Sequence, residues 1–317
     1  MIDEPVLCGM AQSVHDRPDP LFRMGNTNCG GCGLSNLMQM MRHAVAQRRV
    51  QLIIPACCAA AAGGTFPQST YGVPTLLTTF ASAAASASGV ASVAQLNGED
   101  TRVICLAGDG GTCDIGFASL SAAAERDEDI LYICYDNEIY GNTGGQRSSA
   151  TPAGAITTNT LKGKPEQKKD ILSIMAAHRI PYAASISLAH AEDTVRKLGR
   201  ALDLKGFRFL HVLAPCPTGW KSEPALGIEL VRLAVRSGLF PVFEIFDGKR
   251  YVVNIEPDFS DEALGMYLSL QRRFQQSRLG AADLRPAIDL YWENLRALSG
   301  RNVPTRRTAE ATAEWRR

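Results

Sequence analysis

Residues 102–116 read RVICLAGDGGTCDIG. Arg102 to Ala107 is a short apolar run rich in β-formers and predicts a buried strand. Gly108-Asp109-Gly110-Gly111 follows without a gap, so a glycine-rich turn sits at a strand's carboxyl end, where open α/β sheets bind ligands. Glycines there let backbone N–H groups approach a phosphate, and Asp109 offers a hard oxygen to a cation. The next apolar run, Ile130 to Tyr135 (ILYICY), ends in Asp136-Asn137, which places Asn137 28 residues past Asp109 and again at a strand end. Two oxygen donors on successive strand ends, with a diphosphate and water, suit octahedral Mg2+. The competing reading is a glycine-rich turn and an unrelated Asn-containing loop. The shared strand context favours the metal–diphosphate site.

The same alternation extends outward. Val50 to Ile54, Ser185 to Leu188 and Phe207 to Ala214 are further strand candidates. Leu34 to Arg48, Thr78 to Leu96, Phe117 to Glu125, Lys168 to His178 and Ala191 to Leu202 carry helical patterns between them. Nearly continuous apolar strands separated by helices predict an α/β fold: a parallel sheet with helices on both faces. After Trp220 the pattern changes to a helix over Ile228 to Ser237, short strands around Asp247-Gly248, and charged helix from Asp261 onward. That tail has too little apolar surface for its own core. The expected division is an N-terminal arm (1–24), a main domain (25–220) and a C-terminal extension (221–317) lying across the main domain or a partner subunit.

At 317 residues the chain is long enough for a full core. Its 33 basic and 32 acidic residues nearly cancel, which removes the electrostatic case for nucleic acid or an anionic membrane as partner. Nine cysteines at irregular spacing do not make a secreted disulfide scaffold. Met1 to Asp19 has no apolar core and does not read as a signal peptide. Thr78 to Leu96 is Ala/Ser-rich and reads as a closely packed helix, not a membrane span. The expectation is a cytoplasmic protein with reduced thiols.

Cys29-Gly30-Gly31-Cys32-Gly33 is a CxxC in a glycine-rich loop before a helix. A redox dithiol, a zinc knuckle and an iron–sulfur site compete for it. Zinc would want a second close pair, and Cys57-Cys58 is adjacent. A [4Fe–4S] cubane needs four thiolates and accepts distant ones; Cys57 and Cys216 each follow a strand, and Cys216 is flanked by prolines.

Together these stretches resemble one family. CGGCG at Cys29 to Gly33, PACC at Pro55 to Cys58, GDGGTCDIG at Gly108 to Gly116, YDNEIYGNTGGQRSSATP at Tyr135 to Pro152 and HVLAPCPTGW at His211 to Trp220 are similar to the β subunit of 2-oxoacid:ferredoxin (or other acceptor) oxidoreductases, pyruvate:ferredoxin oxidoreductase among them. The resemblance implies a thiamine diphosphate-binding fold of the diphosphate-binding type. It implies Mg2+ held by Asp109, Asn137 and the Ile139 carbonyl, and a diphosphate bound by Gly108, Gly110 and Gly111. It implies a [4Fe–4S] cluster on Cys29, Cys32, Cys57 and Cys216, with Cys57 also beside the cofactor. Asn142 resembles the family's active-site Asn beside the thiazolium, where its amide could hydrogen-bond a substrate oxygen; Thr143 and Gln146 share its loop. The implied reaction is oxidative decarboxylation of a 2-oxoacid, with coenzyme A taking the acyl group and electrons leaving through the cluster to ferredoxin or another acceptor.

The resemblance also implies something absent. The activating Glu of such enzymes normally comes from a second domain, and no duplicate α/β domain is found. Glu99, Glu125 and Glu138 fit solvated faces or loops better. An α-type partner subunit would supply that Glu, and further subunits with ferredoxin-like clusters would complete the complex. Other readings are a non-oxidative thiamine-dependent decarboxylase and a zinc-stabilised scaffold.

The remaining candidates read as structural. Cys105 and Cys134 are expected in the core. Cys113 has a possible cofactor contact, and Cys8 is uninterpreted. His43, His178, His190 and His211 are expected to be structural, and Arg147, Lys162 and Lys164 to lie in a solvated loop. The small residues Ala59 to Gly64 would leave room for a branched or aromatic 2-oxoacid such as phenylglyoxylate, or merely permit close helix packing.

Overall fold

The computed structural model describes residues 21–300, apart from 24, 47, 65–68 and 278. Most of the expected N-terminal arm, Cys8 and the basic end of the chain lie outside the described residues. Eight strands form one sheet in the order β2-β1-β3-β4-β6-β5-β7-β8: β1 Arg49–Pro55, β2 Thr75–Thr78, β3 Thr101–Gly108, β4 Ile130–Asp136, β5 Tyr182–Ser187, β6 Arg208–Leu213, β7 Val242–Phe246 and β8 Arg250–Ile255. The first six are mutually parallel. Every residue of β4, β5 and β6 is buried, which is why they read as unbroken apolar runs. Alternate residues feed two cores. Val103, Cys105, Ala107, Tyr132 and Cys134 face one; Ile104, Leu106, Leu131, Ile133 and Tyr135 face the other.

Three expectations shift. Thr78 to Leu96 is not one helix: the β-formers Thr75–Thr78 pair with β1 as an edge strand, and the helix begins at Ala83. The helix expected from Lys168 begins at Ile171, because Asp170 caps it by accepting from Ser173 N at 3.1 Å. That frees Lys168 and Lys169 to point elsewhere. The sheet is also not wholly parallel. β7 and β8 form a hairpin antiparallel to β5. Its turn requires glycine at 248, where φ is +64 and a Cβ would lie 2.2 Å from the Ala176 carbonyl oxygen.

The chain beyond Trp220 shares the first core. Leu264 and Tyr267 of α9 (Asp261–Ser269), and Leu284, Ile288, Trp292 and Leu295 of α10 (Ala281–Leu298), are buried in the same cluster as Tyr132 and Phe243. (α1 is Gly33–Val45, α2 Cys58–Ala62, α3 Ala83–Leu96, α4 Phe117–Glu125, α5 Ile171–Ala177, α6 Ala191–Asp203, α7 Pro217–Trp220 and α8 Gly227–Arg236.)

One contact ties this region to the loop after β4. Arg273 and Glu138, 2% and 4% exposed, pair at 2.6 Å. Arg273 also donates to Gln271 Oε1 at 2.9 Å and lies over the Trp220 ring at 4.5 Å. Trp220 Nε1 donates to the Asn137 carbonyl at 2.9 Å. Lys168 bridges Asp136 (2.5 Å) and Glu138 (2.9 Å), and His211 Nε2 lies 2.7 Å from Asp136. Removing Arg273 would leave two buried carboxylates, Asp136 and Glu138, sharing the single cation of Lys168. Arg273→Met is therefore expected to cost about 3–5 kcal/mol by chemical denaturation, with the double variant Glu138→Gln/Arg273→Met recovering part of that loss. A double variant no more stable than the single one would show that the pair contributes packing rather than charge balance.

Candidate functional site

The strand order turns at β1 and β3: β2 lies to one side and β4 to the other. Such a switch point leaves a crevice beyond the carboxyl ends of the strands. Here it is a cavity of 390 Å3, lined by the segments following β1 (Ala56, Cys57, Cys58, Ala60), β3 (Gly108 to Gly111) and β4 (Asn137, Ile139 to Thr143), with Phe80 and Tyr135. The structure thus brings Gly108, Asp109, Gly110, Gly111, Asn137, Ile139, Asn142 and Thr143 into one place.

Glycine is required in its floor. A Cβ at Gly110 would lie 2.4 Å from the Tyr140 ring, and one at Gly116 would lie 2.2 Å from the Gly111 carbonyl oxygen. Between them Gly111–Ile115 forms a π-helical turn, a feature frequent at functional sites. Tyr140 closes the loop by donating to Asp114 Oδ2 at 2.8 Å.

The oxygen donors converge. One polar atom of the Asn137 amide lies 2.8 Å from Asp109 Oδ1 and 2.9 Å from the Ile139 carbonyl oxygen. As Nδ2 that atom donates to both. As Oδ1 it completes a trio of oxygens, and its spacings are close to the roughly 2.9 Å edge of an octahedron with Mg–O bonds of about 2.0–2.1 Å. Glu138 makes this possible: its φ of +64 turns the chain between the Asn137 side chain and the Ile139 carbonyl. Asp109 is 1% exposed, and its partners are the hydroxyl of Ser148 and the Asn137 amide. Burial, and then the like charge of Asp136, push its carboxyl well above the usual range. Asp136 goes the other way: burial opposes its charge, but Lys168 and His211 hold it at about 2. Asp109 forms no ion pair among the described residues, and with the Asn137 amide oxygen and the Ile139 carbonyl it could serve as a donor set for a divalent cation.

The cysteines gather on the other side of the cavity. Gly33 N donates to the Pro215 carbonyl at 2.9 Å, and a Cβ at Gly33 would lie 2.4 Å from Pro215 Cδ. This packing sets the Cys29–Cys32 loop against the Pro215-Cys216-Pro217 loop. Cys216 Sγ accepts from Gly219 N at 3.3 Å, and Thr218 Oγ1 lies 4.0 Å from Cys29 Sγ. Cys57 and Cys58 both line the cavity, and Cys58 Sγ donates to Asn142 Oδ1 at 3.2 Å. Burial first, then Cys216, Cys57, Cys32 and Cys29 as like charges, push the Cys58 thiol up to about 12, and burial raises Cys57. Among the described residues no group of three or more Cys, His, Asp or Glu closes around a single ion.

Other candidates stay apart. Cys105 and Cys134 are buried in strands, and Cys113 is buried outside the cavity lining. Lys164 is not in a solvated loop but buried, donating to the carbonyls of Ser149, Thr151 and Gln167. Gln146 supports the loop by donating to the Thr143 carbonyl at 2.9 Å. Glu138 serves the ion network, and neither Glu99 nor Glu125 lines the cavity. Sequence reasoning missed Ser148, Lys168 and Arg273. SSATP, already notable beside the metal loop, could have flagged Ser148; nothing local marks the other two.

No helix among the described residues is long and apolar enough to cross a membrane. Residues 57–212 match the family described as thiamine pyrophosphate enzyme, C-terminal TPP binding domain. The ketoisovalerate oxidoreductase subunit VorB of Pyrococcus horikoshii is 41% identical over 291 residues, covering 88% of this chain and 93% of that one. The pyruvate synthase subunit PorB of Methanocaldococcus jannaschii is 40% identical over 267 residues, covering 80% and 89%. A 2-oxoglutarate:ferredoxin oxidoreductase from Magnetococcus marinus superposes with a TM-score of 0.56 at 21% identity, covering 67% of this chain and 79% of that one, and shares the fold. With the α/β sheet, the GDGG floor and the relatives agreeing, the chain belongs to the β subunits of the 2-oxoacid:ferredoxin oxidoreductases, a family of oxidoreductases that act together with partner subunits.

Proposed function

We propose that this chain is the cofactor-bearing half of an enzyme that oxidatively decarboxylates a 2-oxoacid. The observation that carries this is a single cavity in which Asp109, the Asn137 amide and the Ile139 carbonyl converge on one side and Cys57 and Cys58 line another. Asp109, Asn137 and the Ile139 carbonyl would hold Mg2+, and the N–H groups of Gly110 and Gly111 the diphosphate. Cys29, Cys32, Cys58 and Cys216 would hold a [4Fe–4S] cluster. Thiamine diphosphate would supply the electron sink for CO2 loss, and the cluster a one-electron path outward. The balance is one 2-oxoacid anion and one coenzyme A thiol giving acyl-CoA, CO2, one proton and two electrons, the electrons passing to ferredoxin or another acceptor.

The chain's own residues bind and orient. Tyr140 and Phe80 wall the diphosphate end. Asn142 and Thr143 stand where a substrate oxygen would be held. An α-type subunit would supply the activating Glu, and further subunits the ferredoxin-like clusters. Location in the cytoplasm is part of this reading.

Relatives named for ketoisovalerate and for pyruvate bracket the substrate. Ala60 lines the cavity, whereas Ala59 is buried against Tyr71 and Tyr135. We read the space beside Ala60 as room for a branched or aromatic 2-oxoacid, phenylglyoxylate included. Ala60→Leu in the assembled enzyme should shift relative kcat/KM toward pyruvate by about tenfold, the worth of roughly one to two methylenes in a pocket. An unchanged ratio would sink this assignment.

The central test is metal content of the anaerobically purified complex. Cys58→Ala should lower the iron attributable to this chain below the wild-type value of about four, whereas Cys57→Ala should keep it. Zinc in place of iron would reduce the chain to a thiamine-dependent lyase subunit or a scaffold. Asp109→Asn should abolish Mg2+-dependent thiamine diphosphate binding by calorimetry while leaving iron content unchanged.

A further inference from the structure

Ser148 lies far along the chain from β3, yet its hydroxyl donates to Asp109 Oδ2. The oxygen of the same hydroxyl accepts from Ala150 N at 3.2 Å, so its proton is given to the carboxylate. Ser148 N donates to Thr151 Oγ1 at 2.9 Å, and the Thr151 hydroxyl donates to the Glu138 carbonyl at 2.6 Å. Ser149 N donates to Asp114 Oδ2 at 3.1 Å, the oxygen that also takes the Tyr140 hydroxyl. Residues 148–151 are therefore bonded to the end of β3, to the π-helical turn, and to Glu138 between Asn137 and Ile139. Ser148 and Thr151 are both fully buried.

The two oxygens of Asp109 have different surroundings. Oδ1 lies 2.8 Å from the Asn137 amide, and the same amide atom is 2.9 Å from the Ile139 carbonyl oxygen. Asn137 and Ile139 line the cavity; Ser148 is not part of that lining. Oδ1 is thus on the side of the converging oxygens, and Oδ2 is tied back behind them. The terminal torsion of an Asp is broad and roughly two-fold, so a carboxylate without such a partner could swing both oxygens toward a cation. The Ser148 hydrogen bond fixes it with one oxygen forward.

That choice matters for which cation fits. Mg2+ demands a near-ideal octahedron at about 2.0–2.1 Å, whereas Ca2+ takes more oxygens at longer distances and accepts both oxygens of one carboxylate. We propose that Ser148 is a positioning residue that selects the cation: by holding Oδ2 it makes Asp109 a one-oxygen ligand and favours a small octahedral ion such as Mg2+ over Ca2+. The proposal rests on the reading of Asp109, Asn137 and Ile139 as the cation site, and adds to it a residue that touches neither cation nor substrate.

The test uses the assembled complex, stripped of cation and cofactor with EDTA. It reads thiamine diphosphate binding by equilibrium dialysis while Mg2+ or Ca2+ is titrated, with no turnover involved. In Ser148→Ala the Mg2+ concentration for half-maximal binding should rise about tenfold, the usual size of effect for losing a hydrogen-bond partner of a cation ligand. The Ca2+ concentration should not rise, so the preference for Mg2+ over Ca2+ falls about tenfold. Ser148→Thr keeps the hydroxyl and should retain the wild-type preference. Equal changes for the two ions in Ser148→Ala, or no change for either, would overturn the proposal and leave the cation site standing. Wild-type binding of thiamine diphosphate that needs no divalent cation would overturn the cation site itself. Should Ser148→Ala fail to assemble, Ser148→Cys, which keeps the volume but is a weak donor, takes its place with the same two outcomes.

Discussion

Three carboxylates are buried at the ends of two neighbouring strands, and their charge has to be balanced. Asp109 follows β3; Asp136 and Glu138 end and follow β4. Uncompensated charge in such a place is costly enough to be neutralised or paired. The fold pairs two of the three. Lys168 and His211 serve Asp136, and Lys168 and Arg273 serve Glu138. Asp109 receives only neutral donors from Ser148 and Asn137. The imbalance is local and selective. Among the described residues Asp109 is the one of the three without an ion pair.

The same pairing fixes geometry. Lys168 comes from the loop before α5, Arg273 from the segment after α9 and Trp220 from the turn after Cys216. All three close on residues 136–138. Trp220 is the link between the two halves of the site. It lies in the helical turn that starts just after Cys216, and its indole N–H holds the Asn137 carbonyl. Gly219 lets these loops touch, since a Cβ there would lie 2.6 Å from Ile139 and 3.3 Å from Cys216 Sγ. The thiol loop and the oxygen trio are therefore built on one rigid junction, not on two independent loops.

What was legible in the sequence was what is local. GDGG after an apolar strand, and Asn after the next, predict the switch-point site because both depend on a few consecutive residues. CGGCG and PCPTGW were legible as cysteine loops for the same reason. Arg273 was not: it meets Glu138 across 135 residues of chain, and an Arg in a charged helical tail carries no sign of burial. Lys168 was hidden by a helix pattern that runs back past its true start at Ile171. The hairpin of β7 and β8 was visible as strands, but not its antiparallel place in the sheet, because periodicity is blind to direction. The Cys57–Cys58 pair shows the sharpest limit. Composition and spacing are identical for both, and only backbone direction at a turn separates them.

The cavity itself explains why a β-type chain of this family works with partners. Its lining holds one carboxylate, Asp109, which accepts from Ser148 and the Asn137 amide. Glu138 points away from the cavity into the ion network, and neither Glu99 nor Glu125 lines the wall. The rest of the lining is glycine, alanine, two thiols, aromatic rings, Ile139 and short polar side chains. Among the described residues no Glu lines the cavity, and Asp109 is its one carboxylate. Asn142 and Thr143 are exposed at its rim.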